Sequence, residues 1–178
     1  MAGAELEITI KQIEPGDKLS GLSLGHEDFA PLKAFLAKQA HKYEAQSLAR
    51  TYAAFNGPKV VGYITLTCGE VVSGDNGLQL VDDVEYPYHH YPALKIARLA
   101  VDRRMRGQDL GRFFVQLAIG QAKNIICPAV GCRFVTVDAK RQSVDFYRKC
   151  GFTMLDTDEN RERSAPVMWI DLNKVARS

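Results

Sequence analysis

Residues 103–112, "RRMRGQDLGR", have the types and spacing of an anion cradle. Gly107 and Gly111 stand among Arg103, Arg104, Arg106 and Arg112, directly ahead of an apolar periodic segment. A loop that enters a helix gathers backbone N–H groups pointing one way. The helix dipole adds to them, so a phosphate can be held without side chains. Glycine permits positive φ and lets a ligand approach the backbone. Two glycines serve a tight turn equally well, and the loop alone leaves both readings open. No Gly-Lys-Ser/Thr follows, which excludes a nucleotide-hydrolysing loop, and the three glycines of a dinucleotide fingerprint are missing. Asp109 sets a carboxylate in the middle. Because the donors are main-chain, its side chain can point outward, and aspartate tolerates left-handed φ better than most residues. Turned inward, it would repel phosphate and compete for the same amides.

Other residues with chemical potential are less well placed. His89 and His90 lie near Asp82, Asp83 and Glu85, but adjacent loop histidines seldom converge on one metal, so these read as solvated loop residues and no metal is expected. Glu70 follows a strand and could act as a base through water, although a strand-end glutamate is commonly just solvated; no base is assigned. Arg98 is an arginine inside an apolar strand. It either snorkels, pairs with a carboxylate or lines an acceptor site. Cys68, Cys127, Cys132 and Cys150 follow no zinc spacing and read as reduced, packed thiols of a cytoplasmic protein.

The elements that must position these residues follow from periodicity. "EITIKQI" alternates as a half-buried strand does. From Asp28, a plausible N-cap, Phe29, Leu32, Phe35, Leu36 and Ala40 share a helical face, with Lys33 and Lys38 outside it. "RTYAAF" and "KVVGYITLTCGEVV" form a hairpin across Asn56-Gly57-Pro58. Residues 73–92 are irregular, with turn chemistry in "SGDNG". "LKIARLAVD" (94–102) is a strand running into the loop, and beyond it Leu110, Phe113, Phe114, Leu117, Ala118 and Ile125 trace an apolar helix face. "RFVTVDA" is a strand, "QSVDFYRKC" a short helix ended by Gly151, and "FTML" and "APVMWIDL" closing strands. The expectation is an α/β fold, a single domain over residues 1–178 with a mixed sheet flanked by helices.

Composition agrees with that class. The chain has 178 residues, 46% hydrophobic and 25% charged, enough for a real core. A net charge of +2 is too small to imply nucleic-acid binding by itself. Its distribution is uneven, with five arginines (98, 103, 104, 106, 112) against Asp102 and Asp109 in residues 98–112. "MAGAELEITI" does not read as a secretory signal, and no run of 18 apolar residues suggests a membrane span.

"ARLAVDRRMRGQDLGR" followed by "SVDFYRKCGF" resembles the GNAT superfamily of acyl-CoA N-acyltransferases. The family's Arg/Gln-x-x-Gly-x-Gly/Ala is met by Arg104 and Gly107, with Asp109 departing at the last position. Its aromatic-Tyr-x-x-x-Gly-Phe is met by Phe146, Tyr147, Gly151 and Phe152. The resemblance implies that the strand edge at Leu99, Ala100 and Val101 bonds the pantetheine arm of acetyl-CoA. It also implies that the amides of Arg106, Gly107, Gln108, Asp109, Leu110, Gly111 and Arg112 cradle the pyrophosphate, with Arg104, Arg106 and Arg112 adding positive charge. The strand ending at Asp138 would splay away to leave a V-shaped slot. Many members have asparagine seven residues before the tyrosine; here that position is Lys140, able to reach cofactor or substrate.

Acetyl transfer to an amine needs a neutral nitrogen, a polarised thioester and a proton for the thiolate. Tyr147 is the implied donor, with a phenol near 10 and a thiol near 8.5. "HEDFAPLKAFLAKQA", "GYITLTCGEVV" and "YPALKIARLAVDRRMRGQDLG" are similar to the toxin-type branch, which acetylates the α-amine of aminoacyl-tRNA and is neutralised by a small DNA-binding antitoxin. That branch implies tRNA and an antitoxin as partners. Apart from the resemblance, no membrane partner is expected, a homodimer is left open, and Arg98 is the candidate for the acceptor side. Transfer to small amines, peptides or protein amines, and a non-catalytic acyl-CoA-binding module, remain the alternatives.

Overall fold

The computed structural model describes residues 7–74 and 78–176; residues 1–6 of the amino-terminal stretch read for a signal and residues 75–77 of the "SGDNG" turn lie outside them. Seven strands form one mixed sheet: β1 (Ile8–Gln12), β2 (Arg50–Asn56), β3 (Lys59–Val72), β4 (His90–Val101), β5 (Phe134–Asp138), β6 (Thr153–Met154) and β7 (Val167–Asp171). Their order is β1-β2-β3-β4-β5-β7-β6. β4 and β5 are parallel, while β1–β2, β2–β3, β5–β7 and β6–β7 are antiparallel. The helices are α1 (Ala30–Lys38), α2 (Ala40–Ala45), α3 (Leu110–Gln121), α4 (Cys127–Ala129), α5 (Val144–Lys149) and α6 (Asp158–Glu162). The mixed α/β sheet is the one expected. By contacts the chain groups into two compact units.

The first unit comprises the described residues up to Thr67 together with Ala97–Phe114. Its hairpin β2–β3 turns where expected, with Gly57 at φ 55°. Its core joins Ile13, Leu22, Leu24, Phe35, Leu36, Ala53, Val60, Tyr63 and Ala100. Gly62 is required by close approach: a Cβ there would lie 3.0 Å from Phe114 Cε2 and 3.1 Å from the Ala100 carbonyl oxygen. The Tyr63 hydroxyl donates to the Leu32 carbonyl at 2.6 Å, tying β3 to α1.

The helix start differs from the expectation. A 3₁₀ turn over Glu27–Phe29 precedes α1, capped by His26, whose Nδ1 accepts from Asp28 N at 3.2 Å. Asp28 lies inside that turn, and the N-cap of α1 itself is Phe29, with no side-chain bond. Pro31 then sits in the first turn, where its missing N–H costs nothing. The helix also breaks at Gln39, so Ala40 opens α2 rather than continuing α1, yet Phe35, Leu36 and Ala40 are all buried as the spacing predicted.

The second unit comprises Cys68–Ile96 and the described residues from Val115 onward. Its core joins Val71, Leu80, Val81, Tyr91, Ala93, Phe134 and Leu155. Arg133 holds the Asp171 carboxylate through Nε and NH2 at 2.7 and 2.9 Å. α6 was not anticipated: the Thr157 hydroxyl caps it by accepting from Asn160 N at 3.1 Å. The buried Asn160 amide then acts as a clamp, donating to Leu155 O and Val167 O and accepting from Val167 N.

α3 passes through both units, and its apolar face needs correction. Leu110, Phe114, Val115, Ala118, Ile119 and Ala122 are buried, whereas Phe113 is 50% and Ile125 56% exposed. The face steps by four and three from Leu110, which leaves Phe113 outside it. A π turn over Ala122–Ile126 then shifts the periodicity before Ile125.

Candidate active site

β4 delivers the chain to the loop. After Val101, Asp102 opens a 3₁₀ turn over Arg103–Met105, anchored by buried Met105. Gly107 and Asp109 both take left-handed φ, 81° and 56°. α3 starts at Leu110, and the first bond of its ladder runs from Phe113 N to Asp109 O at 2.9 Å. The amides of Leu110, Gly111 and Arg112 therefore precede the helix ladder and remain available to an anion. A Cβ on Gly107 would meet nothing within 4 Å. Glycine is needed there for its φ and for what approaches from outside, not for lack of room within the protein.

Asp109 points outward. Its side chain is 88% exposed, with Oδ1 4.0 Å from Arg112 Nε. Among the described residues the carboxylate makes no hydrogen bond to the amides at the head of α3, and the left-handed Asp109 backbone helps to build the turn.

The arginines divide their work in a way the sequence did not reveal. Asp102 is fully buried and accepts four hydrogen bonds: from Ser23 N (2.8 Å), Arg104 N (3.0 Å), Arg104 Nε (2.8 Å) and Arg104 NH2 (2.7 Å). The Arg104 guanidinium holds the Asp102 carboxyl well below the usual carboxylate range, outweighing the opposing effect of burial. Arg104 also donates to Gly21 O at 3.2 Å and Arg106 to Leu24 O at 2.6 Å. Arg104 and Arg106 therefore fasten the loop to residues 21–24, while Arg112 stands exposed at the start of α3. In the sequence Asp102 shows only as a counter-charge. Its position just after a strand and two residues before the arginine it binds was the available signal.

Along β4, Leu99 and Val101 are half-buried and Ala100 is buried. The ladder between β4 and β5 pairs Ala93–Ile96 with Phe134–Val137 and stops there, although β4 runs on to Val101. The β4–β5 pairs thus end at Ile96 and Val137. Arg98 stacks its guanidinium carbon 3.7 Å from the Phe35 ring centroid.

In the second unit Tyr147 lies on α5, 5% exposed, with edge-on ring contacts to Phe146 and Phe152. Burial, with a smaller contribution from the Cys150 thiol, pushes its phenol above the ordinary tyrosine range. Gly151, at φ 96°, ends the helix as expected. Lys140 is half-buried and begins the 3₁₀ turn before α5, its carbonyl accepting from Ser143 N at 2.7 Å. A cavity of about 340 Å³ is lined by Glu70, Lys95, Thr136, Asp138, Asn160 and Arg163 among others. Lys95 Nζ lies 2.7 Å from Asp138 Oδ2, and Arg163 3.9 Å from Oδ1, so its polar wall carries both signs of charge. The loop acids and histidines take separate partners: His90 with Glu70 (3.0 Å), Asp83 with Arg133 (3.0 Å) and Asp82 with Lys174 (3.3 Å). Among the described residues no group of three or more such side chains is placed to hold a metal, and no helix is long and apolar enough to cross a membrane.

The mixed sheet, the parallel strands whose ladder ends early and the amide cradle at the head of α3 define an N-acetyltransferase. The chain belongs to the acetyltransferase (GNAT) family, whose model matches residues 23–152. It is similar to a tRNA-acetylating toxin of Mycobacterium tuberculosis, 27% identical over 149 residues that cover 83% of this chain and 86% of that protein. A tyrosine-to-phenylalanine mutant of KacT shares the fold with a TM-score of 0.74 at 24% identity, over 93% of this chain and 95% of that one. AtaT complexed with acetyl-methionyl-tRNAfMet gives a TM-score of 0.78 at 22% identity, over 94% and 96%.

Proposed function

We propose that this chain acetylates the α-amine of aminoacyl-tRNA from acetyl-CoA, as the toxin of a toxin–antitoxin pair, with Tyr147 as general acid. The observation that carries the reading is the similarity to a tRNA-acetylating toxin along most of both chains. A structure of AtaT with acetyl-CoA and the C-terminus of the antitoxin AtaR supports the same set of partners. The residues present fit acetyl-CoA: open space at Gly107 and the amides of Leu110, Gly111 and Arg112 suit a pyrophosphate, and the unpaired β4 edge at Leu99 and Val101 suits the pantetheine arm.

Acetyl-CoA supplies a thioester. The amine nitrogen attacks its carbonyl carbon, a C–N bond forms, and the C–S bond breaks. Tyr147 gives its hydroxyl proton to the departing sulfur and is reprotonated by the proton that the new amide sheds through solvent. With ordinary values near 10 and 8.5, moving that proton costs roughly 2 kcal/mol. Burial raises Tyr147 further, so the phenol stays protonated at neutral pH and releases its proton only as the C–S bond opens. An α-amine beside an ester is less basic than lysine, so more of it is neutral and a strong base is unnecessary.

The test uses radiolabelled acetyl-CoA with charged tRNA, deacylated tRNA, polyamines and peptides. Label on charged tRNA alone, with transfer falling steeply as salt rises, is the expected result. Label only on polyamines or peptides, with a flat salt response and harmless expression in cells, would refute the tRNA acceptor.

A further inference from the structure

Arg98 is fixed in an unusual way. Its guanidinium carbon lies 3.7 Å from the Phe35 centroid and 6.0 Å from that of Tyr43. Phe35 is 2% exposed and meets Tyr43 edge-on at 5.3 Å, so the platform beneath Arg98 is rigid. Stacking occupies the face of a guanidinium and leaves its edge, a planar fork of N–H donors, for other partners. Arg104 gives that fork to Asp102, and Arg106 donates to Leu24 O. For Arg98, itself half-buried in β4, no carboxylate or carbonyl among the described residues takes it. A half-buried, pre-oriented fork without an acceptor matches two oxygens of one oxyanion.

The geometry points to Arg98 as the contact for a backbone phosphate at the single-stranded 3′ end of an acceptor RNA, an inference that rests on the aminoacyl-tRNA reading above. The cofactor pyrophosphate does not account for the fork. Arg98 precedes the end of β4 by three residues, roughly 10 Å of strand, and the cradle amides lie beyond that end. An anion at Arg98 is therefore a second one. The acceptor, whose free α-amine belongs to an amino acid esterified through its carboxyl group to the last ribose of a phosphodiester chain, supplies it.

The experiment measures kcat/KM for acetyl transfer to charged tRNA across a salt series, for the wild type, Arg98→Lys and Arg98→Gln. Arg98→Gln is expected to lose about tenfold or more and to flatten the slope of log kcat/KM against log salt by about 0.7, the value for one phosphate on a single strand. Arg98→Lys keeps the slope but not the full rate, because a point charge cannot replace the fork. The KM for acetyl-CoA should stay unchanged in both. A loss with unchanged slope, or a rise in the acetyl-CoA KM instead, would overturn the assignment. Should Arg98→Gln fail to fold, a charged acceptor-stem RNA with single neutral methylphosphonate linkages near its 3′ end reads the same contact in the wild type. One linkage should reproduce the flattening; none doing so would overturn the proposal. Wild-type protein that acetylates no charged tRNA would refute the parent reading and overturn this assignment with it, an outcome distinct from a loss confined to the Arg98 variants.

Discussion

Replacing Asp102 by asparagine tests whether the cradle depends on a buried carboxylate. Each oxygen of Asp102 faces two donors: Oδ1 meets Arg104 N and Nε, and Oδ2 meets Ser23 N and Arg104 NH2. An amide keeps one oxygen, so two donors lose their acceptor and face an N–H group instead. A buried donor left unsatisfied costs about 1–3 kcal/mol. The Arg104 side chain is 53% exposed and can turn to water, which places the net effect at the lower end, about 2–3 kcal/mol. For a chain of this size that is a fall in Tm of roughly 5–10 °C. The Arg103–Met105 turn should loosen with it, and the KM for acetyl-CoA should rise about fivefold or more, the scale of about 1 kcal/mol. The pH dependence gives a second readout. Arg104 lowers the folded-state pKa of Asp102, so its stabilisation is complete above the unfolded value near 3.9 and is lost only as pH falls below it. The Tm gap between wild type and Asp102→Asn, followed by calorimetry, should be flat from about pH 5 to 8 and close in more acid solution. A variant melting within about 2 °C of wild type, with an unchanged acetyl-CoA KM, would refute the reasoning.

Tyr147→Phe should bind acetyl-CoA normally in a thermal-shift assay while turnover falls by about 10²-fold or more; full activity would reduce Tyr147 to packing. Gly107→Val should abolish acetyl-CoA binding by calorimetry, because a branched side chain disfavours φ 81° and would stand where the ligand approaches. Asp109→Gly should change acetyl-CoA affinity by less than about twofold, since a carboxylate 88% exposed is largely screened; a clear loss would mean that its side chain organises the loop.

The parts of the site made from local chain were readable in advance. A main-chain cradle needs glycine and a helix start, and both are visible in ten consecutive residues. The strand, the loop and the α5 tyrosine with its terminating Gly151 were legible for the same reason. What escaped depends on distant partners. Nothing near Arg104 or Arg106 indicates that they bind residues 21–24, because Ser23 lies 79 positions from Asp102. The open edge of the half-buried Arg98 is likewise a property of what surrounds it. α6 is short, but its Thr157 cap three residues ahead of Asn160 was a local signal that could have been used.

The π turn at Ala122–Ile126 has a consequence for how this chain tolerates changes in length. A π turn holds one residue more than the α-helical path requires. Deleting a residue from an ordinary helix rotates everything beyond it by about 100° and turns a buried face outward. Here the loss of one residue restores regular winding, and the disturbance need not spread past α4. The insertion that most helices cannot accept is already present, so this segment is where shorter chains with the same fold can arise.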